Sequence, residues 1–407
     1  MCPCVRHLKK REQGPCIHVT FKAVQRFRCL GVIVALATCG CQLLGGARIT
    51  ELATGSAKPG NVATLVSVTE KDKPVSGLPP SAFRISENDK TIDPETANLQ
   101  LLEPARYAAF QTVLLVDISQ AKDASARKQL AKAAGAFVRR VRLGQAVTVA
   151  AYDGSDKLRV VGDYPAEAKA TAPEQVEGLL SLTPSDPSRN LRGAVVQGLD
   201  LLEHRLASST YAVHLGTLVV FARGPDLAGR TSEDALKSAL STYTGKFVYV
   251  GVTGETADAA AKRLGESGQI LAQTGDTLPI AFEDAGALVD GLLDQYYLVS
   301  YCSPARAGKR TLNVAVSVPV PDGKDETDSF SVQFDAEGFT AGCDSQKVPP
   351  LVPKNPPKSG SAKPAATSAS APSKPSSSPP STERAPAKKS TNDDQEAPVP
   401  AKPGYAE

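Results

Sequence analysis

The sequence predicts an α/β fold with a doubly wound, mainly parallel sheet, flanked by small β modules and followed by a disordered tail. Residues 112–116 run without polar alternation and end at Asp117. A strand of this kind is buried on both faces, as in the centre of a parallel sheet covered by helices. Strand and helix patterns then alternate over residues 108–298. That alternation is typical of a doubly wound sheet.

Local patterns predict the elements of this segment in order. After Ser119, apolar residues recur at helical spacing up to residue 141, which indicates an amphipathic helix lying on the sheet. Strands are predicted at 146–152, 217–222 and 247–252, with a short hairpin edge at 158–162. Helices are predicted at 173–182, from residue 191 onwards, at 232–242 and at 256–264. Asn190 and Ser232 are the predicted N-caps of the second and third of these helices. Right-handed crossovers place the carboxyl ends of the parallel strands on one rim, where ligands bind in such sheets.

Short β segments lie on both sides of the α/β segment. Residues 46–106 are predicted to form a small β module with strands at 62–68 and 83–86. Residues 299–345 are predicted to form a second one, introduced by a strand at 297–301 and continued at 311–316 and 330–334. Beyond residue 346 the composition changes to Pro, Ser, Ala and Lys, so residues 346–407 are expected to be a disordered tail.

Two cysteines lie in the body of the chain, and six lie within the first 41 residues. Cys302 and Cys343 each flank a strand of the second β module, and we predict that they form a disulfide. Closing a loop of about 40 residues would stabilise the module by roughly 4 kcal/mol in the chain-entropy model. Two unpaired buried thiols are the alternative.

Residues 1–41 are predicted to be an export leader, because basic residues precede a short apolar run at 30–37. The run ends in Cys39-Gly40-Cys41, which resembles a bacterial lipobox. The resemblance implies a lipid anchor on Cys41, or on Cys39, in the inner or outer membrane. An uncleaved anchor is the alternative, although a spanning helix needs about 20 apolar residues. The leader's Cys and His spacing fits no compact zinc pattern.

Composition and motifs limit the function classes. The formal net charge is +3 over 407 residues and the basic residues are scattered, which argues against nucleic-acid binding. The sequence contains no Gly-x-Ser-x-Gly elbow, no phosphate-binding loop and no His-Glu-x-x-His motif. Only His204 and His214 lie in the predicted folded segments, and both are interpreted as surface or packing residues. We therefore expect a protein that is not an enzyme.

The loops of the predicted rim resemble a known family. Asp117, Ser119 and Ala121 occupy the positions of the Asp-x-Ser-x-Ser motif in the von Willebrand factor type A family, where it begins a metal-ion-dependent adhesion site. In place of the family's Gly-Gly-Thr-Asn-Leu and Phe-Thr-Asp-Gly, residues 188–191 read Ser-Arg-Asn-Leu and residues 221–224 read Phe-Ala-Arg-Gly.

The departures imply a degenerate site. Arg189 stands at the threonine position and Arg223 at the second aspartate position, and a guanidinium would repel a divalent cation. We therefore expect no metal and no other cofactor, and we expect Arg223, with Arg189 as a second candidate, to pair with Asp117. Asp226 is a conceivable substitute ligand, although the turn before it is expected to direct it elsewhere. In the alternative, both arginines face solvent and Asp117 caps the following helix.

Two functions follow from this resemblance. The first is a non-catalytic, envelope-anchored module that binds an envelope or extracellular protein without metal, in the periplasm or at the cell surface. The second is an adhesion module that uses Mg²⁺ held by Asp117 and Ser119.

Overall fold

The computed structural model describes residues 46–167, 173–255, 261–320 and 323–355, without the side chains of residues 261 and 262. The predicted leader, with Cys39 and Cys41, and the tail from residue 356 lie outside the described residues. The fold is mixed α/β with several sheets. Most strand pairings are antiparallel, and the parallel pairings belong to one sheet.

The strands are β1 (Ala47–Ala57), β2 (Asn61–Glu70), β3 (Lys73–Pro74), β4 (Phe83–Glu87), β5 (Lys90–Thr91), β6 (Gln100–Leu102), β7 (Ala109–Asp117), β8 (Ala146–Tyr152), β9 (Arg159–Tyr164), β10 (His214–Phe221), β11 (Lys246–Val252), β12 (Gln269–Ala272), β13 (Tyr296–Cys302), β14 (Lys309–Val318), β15 (Glu326–Asp335) and β16 (Val352–Pro353). The helices are α1 (Ala124–Val141), α2 (Leu191–Ala207), α3 (Glu233–Thr242), α4 (Ala261–Leu264) and α5 (Leu278–Gly291).

One sheet has the strand order β12-β11-β10-β7-β8-β9. Its pairings are parallel except that β9 runs antiparallel to β8. Helices α1 and α5 pack on one face, where Leu114 and Val116 of β7 point. Helices α2 and α3 pack on the other face, where Val113 and Leu115 point. The uninterrupted apolar run of β7 therefore contributes side chains to the hydrophobic cores on both faces of the sheet.

Both predicted helix caps are present. The side chain of Asn190 accepts a hydrogen bond from the Gly193 amide, and that of Ser232 accepts one from the Ala235 amide. Each satisfies one of the amides that a helix start leaves without an intrahelical partner.

The helix predicted at 173–182 is wrong. The structure has only a short 3-10 turn, Glu177–Leu179, in that segment. The segment packs so closely on β9 that a Cβ on Gly178 would lie 2.3 Å from the Val161 carbonyl oxygen. Of the helix predicted at 256–264, residues 256–260 lie outside the described residues and α4 covers the rest. Strand β12 and helix α5 were not predicted.

Strands from both sides of the α/β segment combine in two further sheets. One has the order β16-β1-β2-β13-β6, with β3 added to β2; the other has the order β15-β14-β4-β5. Strand β13 pairs with β2 and strand β14 pairs with β4, although each pair is separated by more than half the chain. The two sheets enclose one core, to which Val66, Phe83 and Val314 contribute.

The disulfide prediction is confirmed. Cys302 and Cys343 are bonded, with Cα atoms 5.7 Å apart. The chain after Cys343 is held by the Asn61 side-chain amide, which donates to the carbonyl oxygens of Asp344 and Lys347 over 2.8 and 2.6 Å. It then forms β16 on the edge of β1. The tail predicted from residue 346 was therefore placed too early, because residues 346–355 are ordered by this pairing.

A separate apolar core joins the two halves of the structure. It combines Leu65 and Leu298 from the β2–β13 sheet with Ala108 and Val213, which precede β7 and β10, and with Leu351. The amino ends of the parallel strands thus face the β sheets, which leaves their carboxyl ends on the far rim.

Within the described residues, no helix is both long and apolar enough to cross a bilayer.

Candidate functional site

Asp117 ends strand β7 at the centre of the rim and is only 1% exposed. It does not cap the following helix, since Asp123 caps α1 through a 2.8 Å hydrogen bond from the Ala126 amide. The Asp117 carboxylate instead turns towards neighbouring loops of the rim. The helix-capping alternative is therefore wrong.

Three donors hold the Asp117 carboxylate. Its Oδ1 accepts from the Ser119 amide over 2.9 Å. Its Oδ2 accepts from Arg189 Nε over 2.5 Å and from the Arg223 amide over 3.1 Å. Burying a carboxylate is costly unless it is paired and hydrogen-bonded, and this set of contacts meets both conditions.

Arg189 is held as firmly as its partner. Its side chain is 4% exposed and its Nη1 donates to the Pro225 carbonyl over 3.1 Å. Its own carbonyl accepts from the amides of Leu227 and Ala228 over 2.8 and 3.0 Å. Arg189 directly precedes the N-cap of α2, so the helix start fixes its backbone as well. The arginine thereby connects three loops of the rim.

The expected side-chain pair of Asp117 with Arg223 is wrong. Arg223 reaches Asp117 only through its backbone amide, and its guanidinium binds Glu255 Oε1 over 3.0 and 3.2 Å. With Arg189 already on Oδ2, the Arg223 side chain extends along the rim to the loop after β11. Sequence position identified two candidate arginines but could not show which guanidinium turns inward.

The remaining residues of the family motif do not complete a metal site. Ser119 is buried and its hydroxyl has no hydrogen-bond partner, while Ala121 supplies no oxygen ligand. Asp226 is engaged elsewhere, because its two oxygens accept from the amides of Arg192 and Gly229 over 2.9 and 2.8 Å. Among the described residues no group of three or more His, Cys, Asp or Glu could hold a metal ion. The side chains present do not fit a divalent cation, which needs several oxygen ligands.

Asp153 forms a second buried carboxylate site that the sequence analysis did not single out. It accepts from the Ser155 amide and hydroxyl, from the Ser185 amide, and from Arg159 Nη2 over 2.8 Å. Burial alone would raise its pKa, but the hydrogen bonds from Ser155 and Ser185 outweigh burial and lower the pKa to about 2. Asp153 directly follows β8, one residue past the position that pairs with Asp117 of β7, and this acid at a strand's carboxyl end was the available signal.

Arg230 ties a further loop to the rim. Its Nη2 binds Asp186 over 3.0 Å and its Nε donates to the Gly154 carbonyl over 2.6 Å. The loops approach so closely at this point that a Cβ on Gly154 would lie 2.0 Å from Ser188 Oγ. The rim is therefore a set of loops cross-linked by arginine–carboxylate pairs.

Two features of this rim face solvent. Leu227 is 63% exposed, although its backbone is fixed by the Arg189 carbonyl. A groove of about 220 Å³ lies beside Glu255, whose Oε2 is buried without a partner. The groove is lined by Ala222, Tyr249, Gly251, Val252, Thr253, Gly254, Glu255, Gln269 and Leu271. The rim thus offers apolar contacts between paired charges.

Comparison with known proteins gives little further information. No protein-family model and no curated protein matches the chain. Among solved structures, proximal thread matrix protein 1 from the mussel byssus is 16% identical, with a TM-score of 0.32, over 51% of this chain and 49% of that one. The chain thus spans about half the length of the mussel protein. The minor pilin PilB from Streptococcus sanguinis is 12% identical, with a TM-score of 0.31, over 61% of this chain and 79% of that one. At these scores neither likeness bears on function.

Proposed function

We propose that this chain is a non-catalytic, envelope-anchored protein-binding module with a doubly wound, von Willebrand factor type A-like domain at residues 108–298 that works without bound metal. The parallel strands with helices on both faces support the fold assignment. The observation that carries the functional proposal is the Arg189 guanidinium on the buried Asp117 carboxylate.

An arginine in this position changes how the rim is stabilised. In the family that the motif resembles, the aspartate is one of the side chains that hold a metal ion. A guanidinium supplies the positive charge permanently, because it is covalently attached and stays protonated at physiological pH. The rim would therefore keep one conformation whatever the concentration of divalent ions.

The exposed apolar residue on the rim is the best candidate for partner contact. Leu227 projects from a loop fixed by the Arg189 carbonyl and by both oxygens of Asp226. Because the backbone at Leu227 is already fixed, a partner that covers this residue has less loop entropy to remove. The buried core of a protein interface is more apolar than its polar rim, and Leu227 with charged groups around it has this arrangement. We therefore expect an envelope or extracellular protein to cover Leu227.

Site-specific crosslinking in cells tests this proposal. A photoreactive amino acid at position 227 should capture a distinct envelope protein. The same residue at position 211 is a matched control, because Tyr211 is also exposed, at 40%, but precedes β10 at the amino end of the sheet. Crosslinking that is absent at position 227, or equal at both positions, would reject the rim as the binding surface.

A divalent-metal adhesion module is the second candidate. One observation favours it: the buried Ser119 hydroxyl has no hydrogen-bond partner. Its oxygen could bind a metal ion together with Asp117 if the Arg189 side chain moved away. Calorimetry and thermal melting with Mg²⁺ and Mn²⁺ separate the two candidates, since an ion bound to the native state raises the melting temperature. We expect no heat of binding and no shift, and crosslinking at position 227 that survives EDTA. A shift at millimolar ion concentration would favour the metal-dependent candidate.

A further inference from the structure

Helix α1 carries a stripe of exposed cations on its outer side. Lys128, Lys132 and Arg139 are spaced by four and seven residues, which places them on one face of the helix. All three are exposed and make no ion pair or side-chain hydrogen bond within the described part of the chain. The stripe therefore presents three positive charges to solvent, although the backbone of residues 174 and 175 covers Gly135, which lies between Lys132 and Arg139 on the same face.

Helix α5 lies beside α1 and carries the opposite charge. Glu283 and Asp284 are exposed on its outer side and also lack an ion-pair partner among the described residues. Ile280 and Ala287 share this stripe by their spacing, and Ile280 is 62% exposed. Outside the sheet, the molecule thus shows one basic helix next to one acidic helix that carries an exposed apolar residue near its start.

Contacts along the seam between the helices set their register. Gln129 binds Asp276 at one end and Arg140 binds Asp290 over 2.8 Å at the other, so α1 and α5 run in the same direction. We compare positions along the common direction of the two helices by interpolating between these contacts. Ile280 then lies at the same height as Lys132, and Glu283 and Asp284 lie at a height between Lys132 and Arg139. The seam contacts use side chains that face the neighbouring helix, and they leave the outer stripes unpaired.

We propose that this α1–α5 face binds a second copy of the chain about a two-fold axis parallel to the two helices. A two-fold interface must be self-complementary, and this axis places α1 of each copy on α5 of the other. Because the axis preserves the level of each residue along the helices, Lys132 of one copy meets Ile280 and Asp284 of its partner. The lysine stem can cover the isoleucine while its ammonium group reaches the carboxylate.

The charge layout disfavours other occupants of this face. An anionic surface such as a membrane would be attracted by α1 but repelled by Glu283 and Asp284 on the adjacent helix. A two-fold axis at right angles to the helices, within the interface, would oppose like charges, which is unfavourable. A second copy in the stated orientation places the basic stripe of each α1 against the acidic stripe of the other copy's α5.

The interface should be weak and sensitive to salt. The charged stripes span about 17 Å along the helices at the α-helical rise, and two adjacent helices span about 20 Å. The total area buried would then be about 700 Å², below the range of stable interfaces. Its ion pairs are exposed, so salt screening at 1 M should weaken them strongly.

Sedimentation equilibrium of the full chain at low salt tests the proposal with two charge reversals, Lys132→Glu and Asp284→Lys. Each variant alone should raise the dimer dissociation constant about tenfold or more, because each repeats its repulsion twice across the axis. An equimolar mixture of the two variants should associate again. In the mixed dimer the introduced carboxylate at position 132 meets the introduced ammonium group at position 284, and the native Lys132 meets the native Asp284 at the other contact. The double variant should also associate as the wild type does.

Glu203→Lys is the matched control, because Glu203 is exposed on α2 on the opposite face of the sheet. Its self-association should equal that of the wild type. A wild-type chain that stays monomeric at about 1 mM in low salt overturns the proposal, as does a mixture that fails to associate. The rim is not part of this face, so failure here would leave crosslinking at position 227 unchanged.

Discussion

At the scale of single residues, the rim shows how a tethered charge can stabilise a buried acid. Asp117 receives one guanidinium from Arg189 and one backbone amide from Arg223, residues that lie 72 and 106 positions away. The hydroxyl of Tyr152 lies in the same dry region, and burial followed by the charge of Asp117 raises its pKa well above 10. In such surroundings an uncompensated carboxylate would be far more costly than at the surface.

Arg189→Ala should therefore destabilise the protein strongly. The change leaves Asp117 buried without its counter-charge, for which a loss of about 3 to 5 kcal/mol in the free energy of unfolding is expected. Arg223→Ala is the matched control. It retains the backbone amide that binds Asp117 and removes only the pair with Glu255, whose side chains are about one-third exposed and for which a loss of about 1 kcal/mol is expected. Urea unfolding of both variants measures the difference.

The double variant Asp117→Ala with Arg189→Ala identifies the cause of that loss. Removing both charges should recover part of the stability lost by Arg189→Ala alone, because no unpaired carboxylate remains. The assigned pair would be contradicted if the double variant lost as much stability as Asp117→Ala and Arg189→Ala added together. Equal losses for Arg189→Ala and Arg223→Ala would also contradict it.

At the scale of elements, local signals predicted what is local in sequence. The β7 strand, the Asn190 and Ser232 caps and the α1 periodicity each depend on a few neighbouring residues, and all are present. Helix α5 was missed because its sequence, Leu-Pro-Ile-Ala-Phe, begins as an apolar run with a proline. The pairing of β14 with β4 could not be predicted, since strand register across more than 200 residues is set by tertiary packing. The same limit explains why Arg189 and Arg223 could not be told apart.

The segment from Asp344 to β16, which Asn61 and the edge of β1 hold, gives a prediction at this scale. The double change Cys302→Ser with Cys343→Ser should lower the free energy of unfolding by about 4 kcal/mol, because the bond closes a loop between residues 41 positions apart. Urea unfolding measures the loss, and wild type under reducing conditions should match the double variant. An unchanged transition midpoint in both cases would show that Asn61 and the pairing of β16 hold this segment without help from the disulfide.

At the scale of the whole molecule, the α/β segment is an insertion between strands of a single β structure. The chain enters it after β6 and leaves it at β13, and these two strands pair with each other. Both connections are therefore fixed at one end of the parallel sheet, while the rim at the other end is free to meet a partner. The junction core around Leu65 and Leu298 is the structural link between the halves.

Leu65→Ala tests whether that junction couples the halves. Truncating a fully buried leucine leaves a cavity and should cost about 2 to 5 kcal/mol. Because the cavity lies beside Ala108 and Val213, hydrogen exchange should speed up at the Ala109 amide, which donates to the Val213 carbonyl over 2.9 Å. Leu312→Ala is the matched control, since it removes an equally buried leucine from the β core alone and should leave that amide protected. Equal protection of the Ala109 amide in both variants would mean that the junction does not transmit the perturbation.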